Sequence, residues 1–381
     1  MTKYALIGDP HVGNFSRFGG VKKLGMNRRC ELTVKALRDA LLRAVAEKAD
    51  YAVILGDLFD SMKPEPQLID TLRQTFRAFA KDLQIILLKG NHDSASDEPR
   101  DTALYAVIEK HVIVVDQPRI LREADPYQAT QGPWKSCNPP LVLVPFRSGP
   151  VIEWLPGLLE ELHVPTGAIL CLHAGIKDEE TAPWLLGAPD AIEMSELDAL
   201  MDKHGIDLVF AGNWHEQRNW PHEGIFQVGA LCPTGFSNLG TDEYGHVKVV
   251  SLEAGDNQAF VQDHYIAGPR FLKLGPDDMP TSYLPEEHND RLFIEWKVNA
   301  ESLHAARAEL DQLTEQGLIE GGIALPDTSQ ATEGLRQAAL AAKHTVGIAE
   351  AVGAFVAKLQ MPPLADRESV HARIRAYTGL E

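Results

Sequence analysis

Short apolar runs alternate with amphipathic stretches through the first half of the chain. YALIGD (4–9), YAVILGD (51–57), LQIILLKGN (83–91), HVIVVD (111–116), PLVLVPF (140–146), AILCLH (168–173) and DLVFAG (207–212) are almost continuously apolar. Runs of this length that end in polar or glycine residues predict strands buried on both faces. Between them, CELTVKALRDALLRAVAEKA (30–49) and QLIDTLRQTFRAFAKDL (67–83) repeat apolar residues every three to four positions, as amphipathic helices do. Strands and helices alternating in this way predict an α/β sandwich.

Beyond residue 225 the texture changes. IFQVGAL, HVKVVSLEAG and QAFVQDHYI are expected to be consecutive strands completing a second sheet of the same domain. GPRFLKLGPDDMPTSYLPEEHND, rich in Pro, Asp and Glu, is expected to be a boundary. RLFIEWKV (291–298), ESLHAARAELDQLTEQG (301–317) and LIEGGIALPD (318–327) then form a strand–helix–strand pattern. Helical patterns at 332–360 and 366–379, split by MPPL, close the chain. The expected domains are thus 1–265, a small α+β unit at 266–330, and a C-terminal helical region at 331–381. The Gly/Asn-bearing loop at 13–29 is locally basic.

Composition narrows the setting more than the function. The 381 residues carry a formal net charge of −18, which disfavours a broad basic surface that coats DNA. An enzyme placing divalent cations and a few local Lys/Arg against phosphates is still compatible with that charge. The four cysteines show no C-x-x-C spacing, and neither a membrane-spanning run nor a secretory leader is evident, so a reduced, cytoplasmic setting is expected.

Candidate chemistry collects where the predicted strands end. The first runs into Asp9-Pro10-His11, whose i, i+2 spacing can turn both side chains the same way. The second ends in GDLFD with Asp57 and Asp60, and the third in GNHD with Asn91, His92 and Asp93. LCLHAG carries His173, and AGNWHEQ carries Asn213 and His215. Each block alone has an ordinary reading, as a polar turn, a helix cap or a structural histidine. Five in succession, each just past the carboxyl end of a buried strand, point to one site, because open α/β sheets gather ligands at that edge. Carboxylate, imidazole and carboxamide donors without thiolates suit Mn²⁺, Fe²⁺ or Zn²⁺. A bridging carboxylate can hold two such ions about 3.5–4 Å apart, where they clamp a phosphate.

The order D-x-H, GDxxD, GNH[DE], H, GHxH resembles the signature of the calcineurin-like metallophosphoesterases, and four of the five blocks match. GDPHVG followed by a long loop with Asn27 and Arg28, GDLFDSMKPEP, IILLKGNHD and IFQVGALCPTGFSN are similar to the DNA-repair nuclease branch, SbcD and its archaeal and eukaryotic relatives. The superfamily likeness spans roughly residues 1–255. The nuclease likeness extends to about 327, where the strand–helix–strand unit beginning at RLFIEWKV looks like a capping domain. The resemblance implies a four-layer α/β/β/α sandwich and two divalent ions, Mn²⁺ foremost, with Mg, Fe or Zn as alternatives. One ion would be held by Asp9, His11, Asp57 and His215, the other by Asp57, Asn91, His173 and residue 213. His92 would act at the scissile phosphate, Asp60 would orient His92, and an activated water would attack phosphorus in line with the leaving group.

For function, the resemblance implies exo- and endonuclease hydrolysis of DNA by a homodimer. It also implies an SMC-like ABC ATPase partner (SbcC-like), with the C-terminal helices as candidates for docking it. The chain departs from the pattern at 213, where asparagine stands in place of histidine. Asn213 could ligate the second ion through oxygen, stand aside from it, or mark a weakened enzyme. A small-molecule phosphodiesterase or phosphatase of the same superfamily and a scaffold subunit remain the competing readings.

Overall fold

The computed structural model describes residues 2–16, 25–122, 137–181, 183, 185–236, 244–252, 259–284 and 291–327. The C-terminal helical region expected at 331–381 and part of the 13–29 loop lie outside the described residues.

Two six-stranded sheets pack face to face. The first holds Tyr4–Ile7 (β1), Tyr51–Ile54 (β2), Gln84–Leu88 (β3) and Val112–Val115 (β4), all parallel. The second is built on Leu141–Val144 (β6), Ala168–His173 (β7), Ile206–Gly212 (β10) and Ile225–Gln227 (β12), again parallel. Arg119–Leu121 (β5) and Arg218–Trp220 (β11) close its two edges antiparallel.

Alternation along β1 explains the layering. Tyr4 and Leu6 point into the core between the sheets, with Val53, Ile86, Leu143, Cys171 and Phe210. Ala5 and Ile7 point the other way, against Leu37 and Leu41 of Arg28–Ala46 (α1) and Leu72 and Phe76 of Pro66–Phe79 (α2). On the far side, Val142, Leu170 and Val209 pack on Leu155 of Val151–Leu162 (α3) and Leu197 of Met194–His204 (α4). The result is a helix/sheet/sheet/helix sandwich, as expected.

One expectation is corrected. Of the three strands expected to finish the second sheet, only β12 does so. His246–Leu252 (β13) and Ala259–Tyr265 (β14) join the first sheet, antiparallel beside β1. Without them β1 would be a buried edge with unpaired backbone groups, which is costly. The chain changes sheet directly over the end of β1: Leu231 N donates to Gly8 O (2.9 Å), and Gly8 lies so close to Gly229 O that a Cβ on Gly8 would collide with it.

The segment expected to be only a boundary contributes a strand, Pro269–Leu274 (β15). It pairs in parallel with Arg291–Val298 (β16), which pairs in parallel with Gly321–Pro326 (β17). Leu303–Glu315 (α5) connects the last two and covers their sheet through Ala306, Leu310 and Leu313. This unit is seated on the start of α1. Phe271 and Phe293 cluster with Leu32 and Phe236, and the Arg29 guanidinium lies 4.7 Å from the Phe271 ring and 4.0 Å from that of Phe15. Beside them Arg28 donates to both carboxylate oxygens of Glu320 (2.8 and 2.7 Å). No helix among the described residues is long and apolar enough to cross a membrane.

Candidate metal centre

The carboxyl ends of β1, β2, β3, β7 and β10 converge, and they bring all nine candidate residues into one neighbourhood. Asp9, His11, Asp57 and His173 are buried; Asn91, Asn213 and His215 are partly exposed and His92 is exposed. Among the described residues, two groups of donor atoms stand close enough to share an ion: Asp9, Asp57 and His173 in one, His11, Asp60 and His92 in the other. Between the groups, Asp57 Oδ2 lies 3.6 Å from both His11 Nε2 and His173 Nε2. His215 Nε2 lies 2.8 Å from His11 Nε2. The grouping differs from the expected division in setting His173 with Asp9, whose Oδ1 is 3.6 Å from His173 Nδ1.

The backbone is held in rare conformations at these positions. Six non-glycine described residues have positive φ, and three are His11 (47°), Asp57 (48°) and Asn213 (81°). Strain of this kind persists where the surroundings over-determine it. Here His11 N donates to Asp57 O (2.9 Å), His92 N to Asp57 Oδ1 (2.8 Å) and Asn213 N to Asp9 Oδ2 (2.9 Å).

The donor set fits divalent cations. Asp9 Oδ1 and His11 Nδ1 are buried without a hydrogen-bond partner among the described residues. His173 Nδ1 lies 2.7 Å from Leu55 O, and only a proton on that nitrogen can satisfy the carbonyl. Its Nε2 faces Asn91 Oδ1, 3.0 Å away, where either a second ring proton or a cation can bridge the two atoms. Charge in the cluster is correspondingly displaced from ordinary values. Burial pushes Asp9 up to about 7, opposed by His173. Burial would lower His173, but the Asp57 and Asp9 carboxylates raise it to about 9. Burial would raise Asp57 too, yet His173, His11 and His92 hold it well below the usual carboxylate range.

The hydrogen bond that links His92 to Asp60 is made to the main chain. His92 Nδ1 is 2.9 Å from the main-chain carbonyl of Asp60, whose carboxylate instead faces His11 Nδ1 at 3.8 Å. Asn213 gives its carboxamide N–H to Asp190 Oδ2 (2.9 Å) and to Asp190 O (3.3 Å), which leaves the carboxamide oxygen as its metal-capable atom. Trp214 turns from the donors and lays its indole over Gly175, so closely that any Cβ there would strike the ring.

Two supporting residues carry no role that the sequence alone suggests. Asp93, the last residue of GNHD, is fully buried and accepts from Phe59 N (2.9 Å) and Gly90 N (3.0 Å), tying the second loop to the third. Burial, with Asp57 nearby, raises it to about 7. Asp190 precedes Ala191–Glu193 (β9), which pairs with Gly175–Lys177 (β8), and nothing in its local sequence marks it. The glycines preceding Asp9 and Asp57 were a legible signal: at Gly56 a Cβ would collide with the His173 ring, and at Gly8 with Gly229 O.

Comparison with known proteins gives this arrangement a class. A family model described as calcineurin-like phosphoesterase matches residues 2–217. The chain belongs to that family, hydrolases of phosphoesters that use divalent metal ions. Over 108 residues it is 32% identical to the DNA double-strand break repair protein Mre11 of Archaeoglobus fulgidus; the match covers 28% of this chain and 22% of that protein. Among solved structures, a Thermus thermophilus protein is 13% identical, with 69% of this chain and 98% of that chain covered at a TM-score of 0.39. A dimetal phosphatase from Danio rerio is 11% identical, with 66% and 92% covered at 0.37. At TM-scores this low neither likeness bears on function.

Proposed function

We propose that the chain hydrolyses phosphodiester bonds of DNA with two divalent ions, Mn²⁺ foremost, as the nuclease subunit of an SbcC–SbcD-like complex. The reading also takes the chain as a homodimer with an SMC-like ABC ATPase partner. The observation that carries it is the placement of His92 at the exposed rim of a buried donor cluster, in a chain that also carries a separate unit fastened to α1. Identity over part of the chain to a DNA-repair protein supports the same choice.

Asp9, His11, Asp57 and His215 would hold one ion, and Asp57, Asn91, His173 and the Asn213 oxygen the other. When bound, these ions supply positive charge to the phosphate and lower the pKa of water. The remaining work falls to side chains of the chain itself. Because the Asp60 carbonyl can only accept, His92 carries its proton on Nδ1 and has the lone pair of Nε2 to offer. From the rim, Nε2 can hydrogen-bond a non-bridging phosphate oxygen or hand a proton to the departing one. Asp93 keeps the GDLFD and GNHD loops in register, so that Asp57 and His92 face the same substrate. The β15–β17 unit would contact the duplex, with residues 331–381 docking the ATPase.

The test incubates the full chain and Mn²⁺ with end-labelled duplex DNA, and separately with bis(p-nitrophenyl) phosphate. Release of labelled nucleotides is expected. Hydrolysis of the small ester with DNA intact, even after the ATPase subunit is added, would overturn the assignment to DNA. It would favour a small-molecule phosphodiesterase, a reading to which the net charge of −18 lends weight.

A further inference from the structure

A cavity of about 290 Å³ adjoins the metal centre and is not used by its chemistry. It lies past the carboxyl ends of β3, β4 and β6, at the sheet edge where α/β folds take ligands. Phe146 forms the shared wall: it lines the cavity, and its ring stands edge-on to His173 with centroids 6.1 Å apart. A main-chain bond from Phe146 N to Lys89 O (2.8 Å) fixes that wall to the strand leading into Asn91.

The lining selects a ligand class. Phe146 and Trp154 supply two aromatic rings, and the Arg147 guanidinium sits 5.8 Å from the Trp154 ring. Lys89 and Arg147 are offset by Asp97 and Asp116, so the cavity has no net charge. A phosphate would meet the two carboxylates. A purely apolar ligand would strip water from the carboxylates that face Lys89, whose ammonium also donates to Ser96 O (3.3 Å). Trp154 Nε1 is likewise buried without an acceptor among the described residues. A flat ligand with π faces and both donors and acceptors at its edge matches the two rings and the mixed charges of the lining, and the volume is at the small end of the ~300–1,000 Å³ of ligand pockets.

We propose that this cavity is a nucleobase subsite, in which the base next to the reacting phosphoester lies against Phe146 and Trp154 with its polar edge towards Lys89 and Asp116. The inference rests on the nucleic-acid reading of the metal centre, and adds that one base leaves the stack to be held there. Stacking on aromatic side chains tolerates every base, so the subsite favours unstacked ends without reading sequence.

The experiment measures binding of deoxyadenosine, deoxyadenosine 5′-monophosphate and inorganic phosphate to the full chain without added metal, by saturation-transfer NMR and tryptophan fluorescence. Both nucleoside probes are expected to bind and phosphate alone is not. Phe146→Ala and Arg147→Ala should each weaken deoxyadenosine by about tenfold, in line with stacking losses elsewhere. Trp154→Phe, which keeps the ring and removes the N–H, should weaken it less. Absence of nucleoside binding, or binding unchanged in Phe146→Ala and Arg147→Ala, overturns the subsite. DNA cleaved under Mn²⁺ with no nucleoside bound removes the subsite and leaves the nuclease reading. Nucleoside bound here with DNA intact leaves the subsite and removes the nuclease reading.

Discussion

Asn213 donates its carboxamide N–H to Asp190 Oδ2 over 2.9 Å, while its main-chain N–H is given to Asp9 Oδ2 over the same distance. The residue that departs from the family pattern is therefore held at both ends by carboxylates. A carboxamide that gives its nitrogen to Asp190 has only oxygen to offer a cation. Oxygen is a harder donor than imidazole and favours Mn²⁺ or Mg²⁺ over zinc-like ions.

Asp190→Ala releases the carboxamide, and the expected loss of Mn²⁺ affinity is about tenfold, the usual cost of removing a partner that orients a ligand. Asn213→His should shift preference towards Zn²⁺. Isothermal titration of both variants with both metals measures this. Second-site affinity unchanged in Asn213→Ala would show that the carboxamide is not a ligand.

His92 stands in one donor group with His11 and Asp60 but is exposed where His11 is buried. His92→Ala should abolish phosphodiester cleavage while Mn²⁺ binding stays within about threefold, since its ring lies at the exposed rim of the donor cluster. Asp60→Asn keeps the main-chain carbonyl that holds His92 Nδ1, and so should retain activity within about tenfold. Single-turnover rates of the two variants decide between a side-chain and a main-chain role for Asp60.

Gly56 stands beneath the His173 ring with φ of +115°. Gly56→Ala adds a steric clash to the backbone strain and should cost about 2–4 kcal/mol. Gly149, with φ of +92° and no atom within 4 Å of the added Cβ, is the control, and Gly149→Ala should cost only about 1 kcal/mol. Urea unfolding of both measures the difference, and equal losses would show that contact with His173 is unimportant.

A polar cluster beside the site loop makes stability depend on pH. Asp263 accepts from Lys248 Nζ (2.7 Å) and Gln217 Nε2 (2.6 Å), and lies 2.9 Å from His246 Nδ1. Burial would raise the Asp263 pKa, but His246 and Lys248 hold it below the ordinary carboxylate value. A depressed carboxylate stabilises the fold above its unfolded pKa of about 3.9, and that stability is lost as pH falls towards the folded value. Burial lowers the Lys248 pKa even beside Asp263, and Asp263 is over a third exposed, so the net contribution after solvent screening is about 1 kcal/mol. Asp263→Asn should lose that much at pH 7, with the gap from the parent narrowing below pH 4. Lys248→Met should be milder than Asp263→Ala, which strands a buried ammonium. Denaturant midpoints across pH 3–7 check both.

Most of the catalytic sandwich was legible because its strands are buried on both faces. Continuous apolar runs such as AILCLH become β7 to the residue, and the polar residues ending them reach one edge because the strands are parallel. Sheet membership was not legible: HVKVV has the same pattern in either sheet, and only the open edge of β1 and the close approach of Gly8 and Gly229 send it to the first. FLKL was hidden in a Pro/Asp-rich stretch, since it becomes a strand only when β16 pairs with it.

The sequence by itself named the candidate donors, Asp9, His11, Asp57, Asn91, His173 and His215, and the asparagine at 213, because donor type and strand-end position are local properties. The tertiary structure alone decided what those donors face. It set His173 against Asn91, put the Asp60 carbonyl rather than its carboxylate on His92, and brought Asp190 to Asn213 and Phe146 to His173. Those pairings join residues far apart in the chain, and nothing in the local sequence encodes which of them the packing of two sheets brings together.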